Sequence, residues 1–337
     1  MGHCPLSTNQ LYVHSSGEVF TCSFLQNNPD YVLGNIQKQS LQDIWKSNER
    51  IAFARTHQSG ELRESCHKYQ EDFLCNKIGN RTYFDKSDLI KRLDIMLDSA
   101  CNLKCIMCTN IYDRTGGLKS DFFWENNDET FSSIEEIEIV GGEPVISPHY
   151  LRLVDLMARL NPDCRWFMTT NAHYDLDEKI LESFKKVRFQ SLSISLDSLK
   201  KDVFEKIRVK SRFEKVISNI AELKKHLPLI QINTVIQRDN YQELIPLYLW
   251  CKNQGFKFYP ILLQYPDTYS LKHIPVSEKK DWLLGAMEQN EQLRSKEVFF
   301  LIKKLMAVDS VGSIAEVKIQ YLRQLEIMRE HYGAISI

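Results

Sequence analysis

From residue 92 to residue 263, short β-rich runs alternate with stretches of helical apolar spacing. No other feature of the chain constrains its fold as strongly. The strand-like runs are 92–97 (RLDIML), 134–140 (IEEIEIV), 165–169 (RWFMT), 191–196 (SLSISL), 230–236 (IQINTVI) and 256–263 (FKFYPILL). Between them, residues 150–160, 177–186, 213–226 and 241–253 carry apolar positions at helical spacing, and Pro228 is placed to stop the third of these. A less regular helical stretch lies between Cys108 and Ile134. Six strands separated by five helical stretches predict an α/β chain with a parallel sheet and crossover helices. In such sheets, chemistry gathers at the carboxyl ends of the strands.

The N- and C-terminal portions, residues before 92 and after 263, differ in kind. Residues 277–332 are rich in Lys, Glu, Leu and Met at helical spacing and predict two or three helices. The N-terminal third holds seven of the nine cysteines: Cys4, Cys22, Cys66, Cys75, Cys101, Cys105 and Cys108. Cys164 begins a strand and Cys251 lies in an apolar helical stretch; both read as core residues, with hydrogen donation to a substrate radical as the alternative role. No apolar run is long enough to span a membrane and no signal-peptide pattern opens the chain, so a cytoplasmic location is expected. In a reducing compartment, clustered cysteines hold metal more readily than each other. A formal net charge of -1 gives no reason to expect a polyanionic partner. The basic stretch 200–215 lacks interleaved aromatics and reads as a solvated helix face, so no nucleic-acid binding is inferred.

The first strand runs directly into Cys101-Asn-Leu-Lys-Cys105-Ile-Met-Cys108. Three thiolates on one short loop can hold three irons of a cubane cluster and leave the fourth open to a small molecule. A zinc site with a remote fourth ligand is the competing reading of the spacing. The CxxxCxxC pattern after a first strand resembles the signature of the radical S-adenosylmethionine enzymes, with Met107 where an aromatic residue is common. Gly141-Gly142-Glu143-Pro144 after the second strand resembles the family's GGEP motif, and Thr170-Asn171-Ala172 after the third resembles its TNG turn. Ser193-Ile-Ser195-Leu-Asp197 ends the fourth strand, Arg208 follows in the next helical segment, and Asn233 and Val235 lie on the fifth.

The resemblance covers roughly residues 90–265 and implies a partial (β/α)6 TIM-like barrel. It implies a [4Fe-4S] cluster on Cys101, Cys105 and Cys108 with S-adenosylmethionine on the open iron. It further implies that the GGEP turn meets the methionyl amino group, that Asn171 lies in the cofactor site, and that Ser195 and Arg208 meet the carboxylate. Asn233 or Val235 would border the ribose or adenine. The implied activity is reductive cleavage of S-adenosylmethionine to a 5′-deoxyadenosyl radical that abstracts hydrogen from substrate. A flavodoxin- or ferredoxin-type donor would supply the electron.

The N-terminal cysteines carry a second resemblance. Cys4 and Cys22 frame a C-x12-G-x4-C pattern around Gly17, and residues 11–22 read as a hairpin turning at Ser-Ser-Gly. Leu33-Gly34-Asn35 and the run Ser40-Leu41-Gln42-Asp43-Ile44-Trp45 follow. Together they resemble SPASM/Twitch extensions, which bind auxiliary iron–sulfur clusters, although here the module precedes the barrel. The later pair is Cys66 and Cys75 rather than CxxC. Four cysteines imply one auxiliary [4Fe-4S] cluster, Twitch-like, if Cys75 takes the missing role; otherwise one iron is open or His67 assists. A structural zinc remains the alternative.

The expected organisation is therefore an auxiliary module at 1–85, a barrel at 86–275 and a helical extension at 276–337. The polar stretch 76–87 is the expected boundary, and no leader-peptide-binding domain is expected before the module. A ribosomally made peptide, crosslinked or epimerised, is the first choice of substrate. A sugar, nucleotide or cofactor precursor is the second. A zinc-stapled binding protein without catalysis is the remaining class. Asp113-Arg114 after the triad reads either as a substrate-side loop or as ordinary surface.

Overall fold

The computed structural model describes residues 5–26, 28–58, 88–108, 117–263, 265–271, 274–307 and 315–333. Cys4, Cys66, His67, Cys75, the 76–87 boundary and the Asp113-Arg114 loop therefore lie outside the described residues. Among the described residues, nine strands form one sheet: β1 (Gln10–Val13), β2 (Glu18–Phe20), β3 (Gly34–Asn35), β4 (Arg92–Met96), β5 (Glu136–Val140), β6 (Arg165–Thr170), β7 (Arg188–Ser195), β8 (Ile230–Ile236) and β9 (Lys257–Leu262). Their order is β3-β2-β1-β4-β5-β6-β7-β8-β9. The six strands read from the sequence are β4 to β9, in chain order. The fold is α/β, of the partial (β/α)6 TIM-like kind.

The chain divides into two compact units. The first comprises Met1–Asn102, Asn110–Ser193 and Asn219–Pro228. Within it, β4 pairs in parallel with β5, and β5 with β6. Leu93, Ile95, Ile137, Ile139, Trp166 and Met168 are buried on one face of these strands, as alternation requires. Helix Pro148–Leu160 begins where Ser147 caps the His149 N–H and Pro148 occupies the first helical position. It buries Tyr150, Leu153, Val154 and Met157, a single stripe. Where one helical stretch is expected between Cys108 and Ile134, the described residues form two short helices, Asp121–Glu125 and Asp128–Ser133.

The expected N-terminal hairpin is present. β1 and β2 are antiparallel, with Tyr12 opposite Phe20, and Gly17 takes a positive φ of 91° in the turn. This hairpin does more than stand as a module: β1 also pairs in parallel with β4, Gln10 opposite Arg92. Lys91 and Arg92 both donate backbone N–H bonds to Asn9 O, which sets that register. The physical reason is that Leu11 and Val13 are fully buried and a lone hairpin offers them no cover.

The second unit comprises Leu103–Thr109, Ile194–Ser218 and Leu229–Ile337. β8 and β9 pair in parallel, and helix Leu244–Gln254 ends at Gly255, whose φ of 73° suits a left-handed cap. The described residues of the tail form three helices, Val276–Leu293, Lys296–Ala307 and Ala315–Tyr332. Leu283, Met287, Val298, Ile302 and Val317 from this tail pack with Ile236, Leu244 and Ile245 in one apolar core. No described helix is long and apolar enough to cross a membrane.

Candidate functional site

In the first unit, the loop after β4 and the turn after β5 are stitched together. Asp98 Oδ1 accepts the Ala100 N–H at 2.8 Å. Gly142 N donates to Asp98 O at 3.0 Å, and Glu143 N to Ala100 O at 2.9 Å. This approach demands glycine. A Cβ on Gly142 would lie 1.9 Å from Ala100 O, and Gly141 holds a φ of 129° with its Cβ position 2.6 Å from Asp98 O. Pro144 then opens a short 3-10 turn, Pro144–Ile146.

Glu143 is buried, and its carboxylate faces inward. It accepts from Thr170 Oγ1 at 2.7 Å and from Asn171 N at 2.7 Å, so it ties the GGEP turn to the end of β6. Asn171 in turn donates its Nδ2 to Asn102 Oδ1 at 2.9 Å and to Cys101 Sγ at 3.6 Å. Ala172 adopts a φ of 53°, where glycine is the usual occupant. Asn219 Nδ2 holds the turn by donating to Ala172 O at 2.9 Å and Tyr174 O at 2.8 Å.

The second unit holds Cys105, Cys108 and Arg208. Lys104 N donates to Val209 O at 2.9 Å and Ile106 N to Ile207 O at 3.0 Å, which lays the cysteine loop along the end of helix Lys201–Ile207. Cys108 N donates to Cys105 O. Arg208 is 6% exposed, so it is not on a solvated helix face. Its Nε pairs with Asp197 Oδ2 at 2.7 Å and its Nη1 donates to Cys105 Sγ at 3.8 Å. Asp197 is fully buried and its Oδ1 accepts the Val235 N–H at 2.8 Å. Ser195 closes β7, half-buried. The Asn233 side chain accepts from Gln231 Nε2 at 2.8 Å, while its backbone O accepts from Leu196 N. The basic stretch 200–215 is paired at its rim: Lys201 with Glu214 at 2.7 Å and Lys206 with Asp239 at 2.8 Å.

Asp197, Asn102 and Thr170 are among the polar residues of the site whose roles no sequence motif announced, as are Asp98 and Asn219. Asp197 had a signal, a carboxylate at a strand's carboxyl end beside a candidate Arg. Asn102 and Thr170 had none, because their partners are far away in the chain.

Of the auxiliary cysteines, Cys22 is described; it follows β2 and is half-buried. Tyr12 donates its hydroxyl to Gln26 Oε1 at 2.6 Å. Burial, then the nearby Asp94 and Cys22, push that hydroxyl's pKa well up. Cys164 and Cys251 are core residues: burial pushes each thiol up to about 12, so neither is a thiolate near neutral pH.

Among the described residues, no three His, Cys, Asp or Glu side chains form a compact metal-ligating group. The fit to a cluster rests instead on the donor set and its surroundings. The CxxxCxxC loop supplies three soft sulfur ligands. Cys101 and Cys105 each meet a side-chain N–H, the type of contact that stabilises thiolate sulfur on iron.

Two family models match this chain. That of the Radical SAM superfamily matches residues 97–251, and that of an iron–sulfur cluster-binding domain, SPASM, matches residues 4–68. Residues 97–251 thus match a radical SAM domain and residues 4–68 a SPASM iron–sulfur module, and these two matches support [4Fe-4S] clusters and S-adenosylmethionine as the cofactors.

Among curated relatives, a GTP 3',8-cyclase of Nautilia profundicola is 26% identical over 181 residues, 49% of this chain and 54% of that protein. A GTP 3',8-cyclase of Clostridium botulinum is 27% identical over 217 residues, 61% of this chain and 64% of that protein. The chain thus spans between half and two thirds of the length of these relatives. Among solved structures, native anSMEcpe with bound AdoMet and Cp18Cys peptide has a TM-score of 0.47 and 20% identity, over 60% of each chain.

Proposed function

We propose that this chain holds a [4Fe-4S] cluster on Cys101, Cys105 and Cys108 and uses S-adenosylmethionine to abstract hydrogen from a substrate. The observation that carries the reading is the stitching of the loop that opens on Cys101 to the GGEP turn, through the Asp98–Gly142 and Ala100–Glu143 backbone bonds. When bound and reduced, the cluster supplies the electron that splits S-adenosylmethionine into methionine and a 5′-deoxyadenosyl radical. The chain's own residues orient the parts. Gly141 and Gly142 bring backbone close to the cysteine loop, Glu143 fixes the Asn171 turn, and Asp197 fixes Arg208.

The test is direct: iron- and sulfide-loaded protein, reduced with dithionite, is expected to release 5′-deoxyadenosine from S-adenosylmethionine. Complete absence of that product refutes the reading. One auxiliary cluster, on Cys4, Cys22, Cys66 and Cys75, is proposed beside it. Anaerobic protein should then carry about eight irons, four per cluster, and a Cys101/Cys105/Cys108→Ala variant about four. A flavodoxin- or ferredoxin-type protein is the proposed donor in place of dithionite.

For the substrate, a ribosomally made peptide is the first reading. The SPASM module supports it. A small-metabolite substrate is the second reading, favoured by the names of the two curated relatives. Incubation with GTP and, separately, with short peptides encoded beside the gene distinguishes them by which one raises 5′-deoxyadenosine and changes mass.

A further inference from the structure

We infer that Asn171 and Arg208 are positioning residues that act on the cluster sulfurs themselves, and thereby raise the reduction potential of the cluster proposed above. Two contacts carry the inference, each lying within a single unit. In the first, Asn171 Nδ2 stands 3.6 Å from Cys101 Sγ. In the second, Arg208 Nη1 stands 3.8 Å from Cys105 Sγ. Both lie within the range for N–H donation to sulfur, and both donors are held from behind.

The Asn171 amide is oriented at both ends. Its Nδ2 also donates to Asn102 Oδ1 at 2.9 Å, and its Oδ1 accepts from His173 N at 2.7 Å. Its backbone N–H is anchored on Glu143 Oε2 at 2.7 Å. Arg208 is anchored through Nε on Asp197, which is anchored on the Val235 N–H. The ion pair and burial hold a planar, pre-organised guanidinium whose Nη1 reaches Cys105. Neither donor has to be recruited when charge arrives at sulfur.

The direction of the effect follows from electrostatics. Reduction places an extra negative charge on the cluster, part of it on the cysteine sulfurs. An N–H dipole, or a guanidinium charge, aimed at that sulfur stabilises the reduced form more than the oxidised form. The low exposure of Cys105 and Arg208 keeps the interaction from being screened by water. The geometry therefore assigns these two side chains a role on the iron side of the site, independent of any contact with S-adenosylmethionine.

The test is an EPR-monitored redox titration of anaerobically loaded full-length protein without S-adenosylmethionine. The cluster signal is identified by its change when S-adenosylmethionine is later added. Asn171→Ala and Arg208→Gln are each expected to keep wild-type iron content and to lower the midpoint potential. At a fixed potential, the reduced-to-oxidised ratio should fall several-fold; a tenfold fall corresponds to about 59 mV for one electron. Arg208→Lys should recover part of the shift, since charge remains while the fork is lost.

Midpoints unchanged in both variants, with iron retained, overturn the inference and leave these as packing contacts. A change in S-adenosylmethionine affinity with no change in potential also overturns it. If Arg208→Gln fails to hold iron, Asn171→Ala decides the question by itself, because its contacts lie in the other unit. Wild-type protein that takes up iron but yields no 5′-deoxyadenosine refutes the proposed function instead, and the titration remains readable.

Discussion

Gly142 is the residue on which the site's geometry turns most sharply. Its missing Cβ would sit 1.9 Å from Ala100 O, a backbone atom that cannot move without displacing the loop leading to Cys101. Gly142→Ala is therefore expected to cost roughly 3 kcal/mol, at the upper end for forcing an extra carbon into a packed position. Urea unfolding measures the cost, and iron content of the loaded variant reports the loop's displacement. A variant with wild-type stability and full iron would show that the two loops do not need this approach. Glu143 illustrates how one carboxylate serves a neighbouring turn. Its bonds to Thr170 and Asn171 N place it between two strand ends, although its sequence motif points only to the turn that contains it.

At the scale of elements, the helix Leu41–Trp45 is short enough that its ends dominate its stability. Ser40 and Asp43 form a reciprocal capping box, with Ser40 Oγ accepting from Asp43 N at 3.0 Å and Asp43 accepting from Ser40 N at 3.2 Å. Trp45 is then held by its Nε1 bond to Asp88 O and by Arg50, whose guanidinium carbon stands 3.3 Å from the ring centroid. Ser40→Ala removes one half of the box and should cost about 1 kcal/mol in a denaturant titration. Ser40→Thr should keep most of it. Equal losses in both variants would mean that the cap contributes little beside the packing of Leu41, Ile44 and Trp45.

For the molecule as a whole, the Arg92 network is the largest buried charge group in the described residues of the first unit. Arg92 pairs with Asp94 at 2.8 Å, with Glu136 at 2.7 Å and with Glu138. Gln10 Nε2 donates to Asp94 at 3.1 Å from β1, and Arg165 reaches Glu136 at 2.9 Å from β6. Four neighbouring strands thus converge on one polar cluster. Burial lowers the guanidinium's proton affinity, but Asp94, Glu138 and Glu136 together outweigh it, so the group stays charged. Replacing Arg92 with Met would leave three carboxylates without their shared cation, at a cost of about 3–5 kcal/mol. The unfolding free energy from urea titration at neutral pH checks this. A loss below about 1 kcal/mol would show that Arg165 and water suffice.

The sequence by itself determined the six strands β4 to β9 in their chain order, the hairpin turn at Gly17, the helical character of the tail and the cysteine loop with its GGEP turn. Each of these depends on periodicity or backbone chemistry within a few residues, so local sequence suffices. Only the tertiary structure decided that β1 joins β4, that Glu143 holds Asn171, and that Arg208 meets Cys105 and Asp197. Those contacts join positions far apart in the chain, 103 residues in the case of Cys105 and Arg208. No spacing rule encodes them, because they exist only once the sheet has brought the strand ends together.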